Sequence, residues 1–264
     1  MIAVHAIETT GLTRTFGSKK AVDGLTMTVK AGTFFGFLGP NGAGKSTTIN
    51  MLTGMIGISS GTARLLGHDI ATQPLAAKRL IGVLPEDTAL FDRLTGREYL
   101  SFIGRMYGMA PRAIQSRSDE LMKLMELAEE QGKLIVDYSH GMKKKLALSA
   151  ALIHKPKVLF LDEPFEGIDA LAARTIKHLL NDLVARGVTI FLTSHILEIV
   201  ERLCTDVAII NKGKLVAQGT IDELRLGISL PGYDRTENAM TLEEIFLSIV
   251  ANDEPRAHTL SWLA

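Results

Sequence analysis

The stretch Gly39-Pro40-Asn41-Gly42-Ala43-Gly44-Lys45-Ser46-Thr47 carries the most specific chemistry in the chain. It fits the pattern G-x-x-x-x-G-K-[ST], a loop whose backbone N–H groups cradle phosphates. Its glycines let the backbone turn tightly and aim those N–H groups at a polyphosphate. Lys45 brings a positive charge to the β- and γ-phosphates, and the Ser46 hydroxyl can ligate Mg2+. Thr33 to Leu38 predicts a buried strand just before the loop. Ser46 to Leu52 predicts a helix just after it, stopped by Gly54. The helix N-terminus adds further attraction for an anion. The expected ligand is a nucleoside triphosphate.

Such a site also needs an acid that places Mg2+ and a group that activates water. Asp162-Glu163 supplies both, directly after the apolar run Val158-Leu159-Phe160-Leu161. Acids at the carboxyl end of a buried strand stand where ligands bind in α/β sheets. Asp162 is expected to hold Mg2+, directly or through water, and Glu163 to polarise the attacking water. His195 follows another apolar strand through Thr193-Ser194 and is expected to donate a hydrogen bond to the γ-phosphate.

The elements that must position these groups read as an α/β fold. Val4 to Thr9 and Leu25 to Val29 alternate and predict an antiparallel β layer, with a Gly-containing turn region between them. Thr62 to Leu66 and Ile81 to Leu84 predict further strands. From roughly 88 to 155 the pattern turns helical. Thr95 and Glu98 form a capping box, and Pro111 favours a new helix start. Ile114, Leu121, Leu124, Met125 and Ala128 recur at helical spacing. Ser139-His140-Gly141 is expected to break that pattern before a third helix from Met142 to His154. Strands then return at 188–192, 207–210 and 214–217. Asp169 to Arg186 predicts an amphipathic helix with Leu171, Ile176, Leu179, Leu180 and Leu183 on one face. Short helices are expected near 196–204 and 220–225. The expected layout is a domain over 1–225 with its helical insertion, then a C-terminal extension over 226–264. That extension would hold an exposed loop at 227–239, a short helix from Leu242 to Val250 and a tail.

Bulk properties narrow the function. Lys+Arg and Asp+Glu are 29 each among 264 residues, so net charge gives no argument for nucleic acid or an anionic membrane. The single cysteine, Cys204, excludes an internal disulfide framework, and a buried inert thiol is expected. Met1 to His5 lacks a basic region, so no signal peptide is expected. No apolar run is long enough to span a membrane, so any membrane role is expected to pass through a partner. The run Lys143-Lys144-Lys145 reads as a solvated helix face rather than a phosphate contact.

Together these residues resemble the nucleotide-binding domain of ABC transporters over nearly the whole chain. The fold so implied is a P-loop core with an N-terminal antiparallel β layer and an inserted helical subdomain. Residues 39–47 match the Walker A loop, 158–162 the Walker B strand, His195 the switch histidine and Glu166 to Asp169 the D-loop. The resemblance implies that Phe16 stacks on adenine and that Val22 packs on the base. Tyr138-Ser139-His140-Gly141-Met142 stands where the family carries its signature, commonly Leu-Ser-Gly-Gly-Gln. Ser139 and Gly141 are kept, while His140 and Met142 depart. Glu86 replaces the Q-loop glutamine and can still reach Mg2+, and Phe165-Glu166 departs from the usual D-loop pair.

The signature, Leu84-Pro85-Glu86 and Leu242 to Phe246 look like the ATPases of ABC-2-type exporters. That resemblance implies ATP and Mg2+ as cofactors and a second ATPase subunit, identical or related. Its P-loop would face Ser139, Gly141 and Met142 of this chain. It also implies a separate transmembrane permease and a place on the cytoplasmic face of the membrane. Rival readings are an ATP-binding regulatory subunit with little turnover, and a non-transport ABC ATPase acting on ribosomes or DNA.

Overall fold

The computed structural model describes residues 5–226 and 241–251. Strands β1 (His5–Phe16) and β2 (Lys19–Lys30) form a long antiparallel hairpin, longer than the alternation alone predicts. Gly11 and Gly24 sit inside it at positive φ, beside irregularities in the pairing. Next come β3 (Phe34–Leu38), α1 (Lys45–Leu52), β4 (Ser60–Leu65), β5 (His68–Asp69), α2 (Pro74–Arg79) and β6 (Ile81–Leu84). Helices α3 (Gly96–Met106), α4 (Pro111–Leu124) and α5 (His140–Leu152) form the insertion. The chain continues with β7 (Val158–Asp162), α6 (Ala170–Ala185), β8 (Thr189–Thr193) and α7 (Leu197–Leu203). It then runs through β9 (Asp206–Asn211), β10 (Lys214–Thr220), α8 (Ile221–Arg225) and α9 (Leu242–Ala251).

Two sheets result. One is antiparallel, in the order β2-β1-β4-β5; the other runs β10-β9-β3-β8-β7-β6. The second is parallel except for β10. Neighbours β6 and β7 flank the helical insertion in sequence, so the insertion leaves and re-enters the sheet at one edge.

Every residue of β3, β7 and β8 is buried. This is why these strands read as continuous apolar runs: both faces are covered. Phe191 lies 5.5, 5.2 and 5.4 Å from the rings of Phe35, Phe37 and Phe160. Each such pair adds about 0.5–1.5 kcal/mol beyond area burial. The cluster ties together the three strands from whose carboxyl ends the site residues project. On the opposite face α7 packs tightly at Gly36, where a Cβ would stand 2.8 Å from Val200 Cγ1.

In the insertion, Thr95 Oγ1 accepts from Glu98 N at 3.3 Å, and Glu98 Oε2 accepts from Thr95 N at 2.9 Å, completing the expected capping box. Pro111 opens α4 as expected. Of the residues expected at helical spacing, Ile114 and Met125 are buried, but the buried stripe of α4 differs otherwise. It is Ile114, Ser118 and Met122, while Leu124 and Ala128 are exposed and Leu121 is half-buried. Glycine sets that stripe: Gly104 of α3 leaves the space that Ile114 fills, and a Cβ there would lie 2.7 Å from Ile114 Cγ1. The expected third helix follows the interruption at Ser139 and starts two residues early, at His140. Ser139 is the N-cap of α5, and its Oγ accepts from Met142 N at 3.2 Å.

Helix α6 likewise buries Ala172, Ile176 and Leu180, and leaves Leu171 64% exposed, against expectation. Helix α9 returns to the main body. Leu242 and Ile245 are fully buried, and Leu242 N donates to Glu201 Oε1, which also pairs with Arg225. Cys204, just past α7, is buried, and burial pushes its thiol pKa far up, so it is inert. The expectations for Val4, 227–239 and 252–264 fall outside the described residues. No helix among the described residues is long and apolar enough to cross a membrane.

Candidate functional site

The Gly39–Thr47 loop joins β3 to α1, as its sequence predicts. Its glycines meet backbone constraints. A Cβ at Gly39 would stand 2.4 Å from the Ile210 carbonyl, and one at Gly44 2.5 Å from the Ala21 carbonyl. Gly42 and Gly44 also have φ of 76° and 110°, in the left-handed region. Gly44 caps α1 without any side-chain hydrogen bond, so the first-turn N–H groups keep their pull on an anion. Lys45 is buried, and its Nζ donates to the Gly39 carbonyl at 2.7 Å and to the Pro40 carbonyl at 3.2 Å. Burial pulls the Lys45 pKa down, while the Glu163, Asp162 and Glu86 carboxylates push it back up.

A cleft of about 660 Å3 opens over this loop. It is lined by Phe16, Asn41, Gly42, Gly44, Lys45, Ser46, Thr47, Glu86, Asp162, Glu163 and His195, all singled out in the sequence. Glu166, expected in the D-loop, also lines it, and so do Lys19 and Ala21, which were not singled out. The volume and the ring of donors and acids suit a nucleotide. Phe16 closes the end of β1 and is 48% exposed. The Arg14 guanidinium lies 4.6 Å from its ring centre and also donates to the Gly57 carbonyl. Val22 is fully buried under Gly44, where it supports the loop, and is absent from the cleft lining.

The acids come from β7. Strand β7 pairs with β8 so that Asp162 stands opposite Thr193. The Thr193 hydroxyl donates to Asp162 Oδ1, and Glu163 N lies 3.3 Å from both Thr193 O and Thr193 Oγ1. Thr193 was not anticipated. Its only sequence signal is a hydroxyl at the end of an apolar strand. Glu163 has φ of 48°, a left-handed conformation uncommon for a side chain of its size. Its Oε2 lies 3.0 Å from His195 Nδ1. Burial raises the Glu163 pKa, and the His195 hydrogen bond works against that rise.

The remaining predicted residues stand away from this cleft. Ser139, Gly141 and Met142 form the N-cap and first turn of α5. Asp169 is the N-cap of α6, accepting from Ala172 N at 2.8 Å, a bond that lowers its pKa. His140 rests against Gly167, where a Cβ would lie 2.6 Å from His140 Cδ2. The lysine run departs from expectation at its middle. Lys143 and Lys145 are partly buried, their side chains 27% and 13% exposed, and pair with Asp92 and Glu126. Lys144 is 1% exposed, with its Nζ on the Glu163 and Glu166 carbonyls.

Comparisons with known proteins agree with this geometry. The family described as "ABC transporter" matches residues 22–166. The daunorubicin resistance ATP-binding protein DrrA3 of Streptomyces coeruleorubidus is 38% identical over 224 residues, covering 85% of this chain and 71% of that protein. The linearmycin resistance ATP-binding protein LnrL of Bacillus subtilis (strain 168) is 39% identical, covering 84% of this chain and 72% of that protein. A solved ATP-binding subunit of an ABC transporter superposes with a TM-score of 0.84 at 29% identity, covering 92% of this chain and 99% of that one. This chain therefore belongs to the ABC transporter family, as an ATP-binding, ATPase-type subunit.

Proposed function

We propose that this chain is the ATP-hydrolysing subunit of an exporter that drives a separate transmembrane permease from the cytoplasmic face of a membrane. The observation that carries this reading is one cleft holding Lys45, Ser46, Asp162, Glu163 and His195 over a helix N-terminus that no side chain caps. The export sense draws on two relatives whose names tie them to resistance against daunorubicin and linearmycin.

Each residue has a task in that cleft. The loop N–H groups and Lys45 hold the phosphates, and Phe16 stacks on the base. Ser46 and Asp162 would hold Mg2+, with Glu86 in reach. Among the described residues no three His, Cys, Asp or Glu side chains gather to hold a metal. Bound Mg2+ supplies charge neutralisation across the β- and γ-phosphates. Glu163 orients water and accepts its proton, and His195 holds the Glu163 carboxylate and meets the γ-phosphate. Ser139, Gly141 and Met142 sit at the exposed start of α5. In this reading they complete the site of a second ATPase subunit, identical or related, and the dimer closes around MgATP. Closure then moves the helical insertion against the permease.

The test is Glu163→Gln. We expect turnover to fall by about 10²–10⁴-fold, the usual contribution of a positioned base, with ATP binding kept and the dimer favoured. Unchanged turnover sinks the base assignment. Lys45→Ala should lose nucleotide binding, and undiminished binding sinks the phosphate site.

A further inference from the structure

Lys144 is the least expected charge in the molecule. Buried ammonium groups persist only where their donors are satisfied and negative charge stands near. Here Nζ donates to the Glu163 carbonyl at 2.6 Å and to the Glu166 carbonyl at 2.9 Å. Burial lowers its pKa, and the Glu166, Glu163, Glu86 and Asp162 carboxylates push it back up. The two carbonyls bound the turn Glu163-Pro164-Phe165-Glu166, which Glu166 N closes back onto the Glu163 carbonyl at 3.3 Å.

That turn holds Glu163 at φ of 48°. A side-chain-bearing residue in this conformation costs about 1–3 kcal/mol and stays there only when its surroundings hold it. The surroundings are on both sides. Glu163 N is held by Thr193 of β8, and the Glu163 carbonyl by Lys144 of α5. The backbone conformation in turn sets where the carboxylate goes, and it goes to His195 in the cleft. The same helix makes a second contact with this segment through His140 on Gly167.

We propose that Lys144 is a positioning residue for hydrolysis: its ammonium grips the Glu163 and Glu166 carbonyls, fixing the Glu163 carboxylate in the cleft and locking it to α5. The inference rests on Glu163 being the base. It also has a mechanical consequence. Helix α5 begins with Ser139 and Gly141, so displacement of that N-terminus is transmitted to the same chain's own base.

The experiment uses the full chain and measures kcat, KM for ATP, binding of a fluorescent ATP analogue and Tm. Lys144→Met keeps length and removes the donors. We expect kcat to fall by about tenfold or more, since misplacing a reacting group by 1 Å can cost 10²-fold, with KM and ATP affinity unchanged. Lys144→Arg restores donors and charge and should recover part of the loss. Unchanged kcat in folded Lys144→Met overturns the proposal. Equal losses of kcat and ATP affinity overturn it too, because they mark a merely structural lysine. If Lys144→Met does not fold, Lys144→Arg decides by the same split: lowered kcat with ATP affinity kept supports the grip, and any other pattern overturns it. Failure of both to fold also overturns it. Glu163→Gln runs alongside. Full turnover there removes the base assignment itself, whereas inactive Glu163→Gln beside fully active Lys144→Met removes only the role of Lys144.

Discussion

Thr193→Val separates what the Asp162 carboxylate needs from what the strand needs. Both side chains are β-branched and similar in shape, so β8 and its packing persist. Only the hydroxyl goes. Thr193 is fully buried and Asp162 is 5% exposed, so water does not simply replace the lost partner. A hydrogen bond to a charged group contributes about 1.5–3 kcal/mol. The bond from Glu163 N adds little to the loss, because Thr193 O remains 3.3 Å from the same N–H. We therefore expect a net destabilisation of about 2–3 kcal/mol. At about 2–4 °C per kcal/mol for a chain this size, Tm should fall by about 4–12 °C in the nucleotide-free protein. The functional effect is separate. Groups that orient a metal ligand typically change metal affinity by about 10–100-fold, so half-maximal ATPase should need about tenfold more Mg2+. The assays are thermal unfolding and ATP turnover across a Mg2+ titration. Unchanged Tm and unchanged Mg2+ requirement refute the reasoning. A fall in Tm with an unchanged Mg2+ requirement keeps the structural argument and refutes the metal role of Asp162.

Three further outcomes follow from the geometry. In His195→Ala the Glu163 carboxyl loses the hydrogen bond that restrains its burial-raised pKa, so that pKa rises further. A base works only when ionised, so the acid limb of the kcat profile should move to higher pH; a fixed or lowered limb argues against the pair. Gly36→Ala forces a methyl to within 2.8 Å of Val200 Cγ1, 3.0 Å of Val207 Cγ1 and 3.1 Å of Cys204 Sγ. Overpacking of this kind costs about 1–3 kcal/mol, read as a lower Tm that Gly36→Ala with Val200→Ala should partly restore. Thr95→Ala removes the α3 cap and should cost about 1 kcal/mol in denaturant unfolding, and no loss would mean that tertiary contacts alone hold that helix end.

What the sequence carried plainly was local. The loop at Gly39–Thr47 is dictated by backbone conformations that glycine supplies, and these can be read off residue types in order. The same holds for Thr95 with Glu98, where both members of the cap lie within one turn. Buried helical faces were less legible, because a 3.6-residue period tolerates a shift of one position. Leu171 and Leu124 fit the pattern yet face outward, displaced by Ala172 and Ser118 once neighbouring helices chose the contact stripe. Lys144 was illegible for a deeper reason. Three lysines in a row look solvated, and nothing nearby in sequence announces carbonyls at residues 163 and 166.

Thr193 shows where chemistry and fold become the same question. It meets Asp162 across 31 residues of chain, through the parallel register of β7 and β8. Side chains alternate faces along a strand, so a slip of one residue would carry the Thr193 hydroxyl to the other side of the sheet. Asp162 would then stand opposite Leu192 or Ser194, and Glu163 would lose the bonds that hold its left-handed turn. His195, two residues past Thr193, would shift with it and leave the Glu163 carboxylate unpartnered. The register is itself fixed by Phe191, which must sit among Phe35, Phe37 and Phe160 to bury its ring. Aromatic packing in the middle of the sheet thus sets the ångström-scale placement of the acids at the carboxyl end of β7.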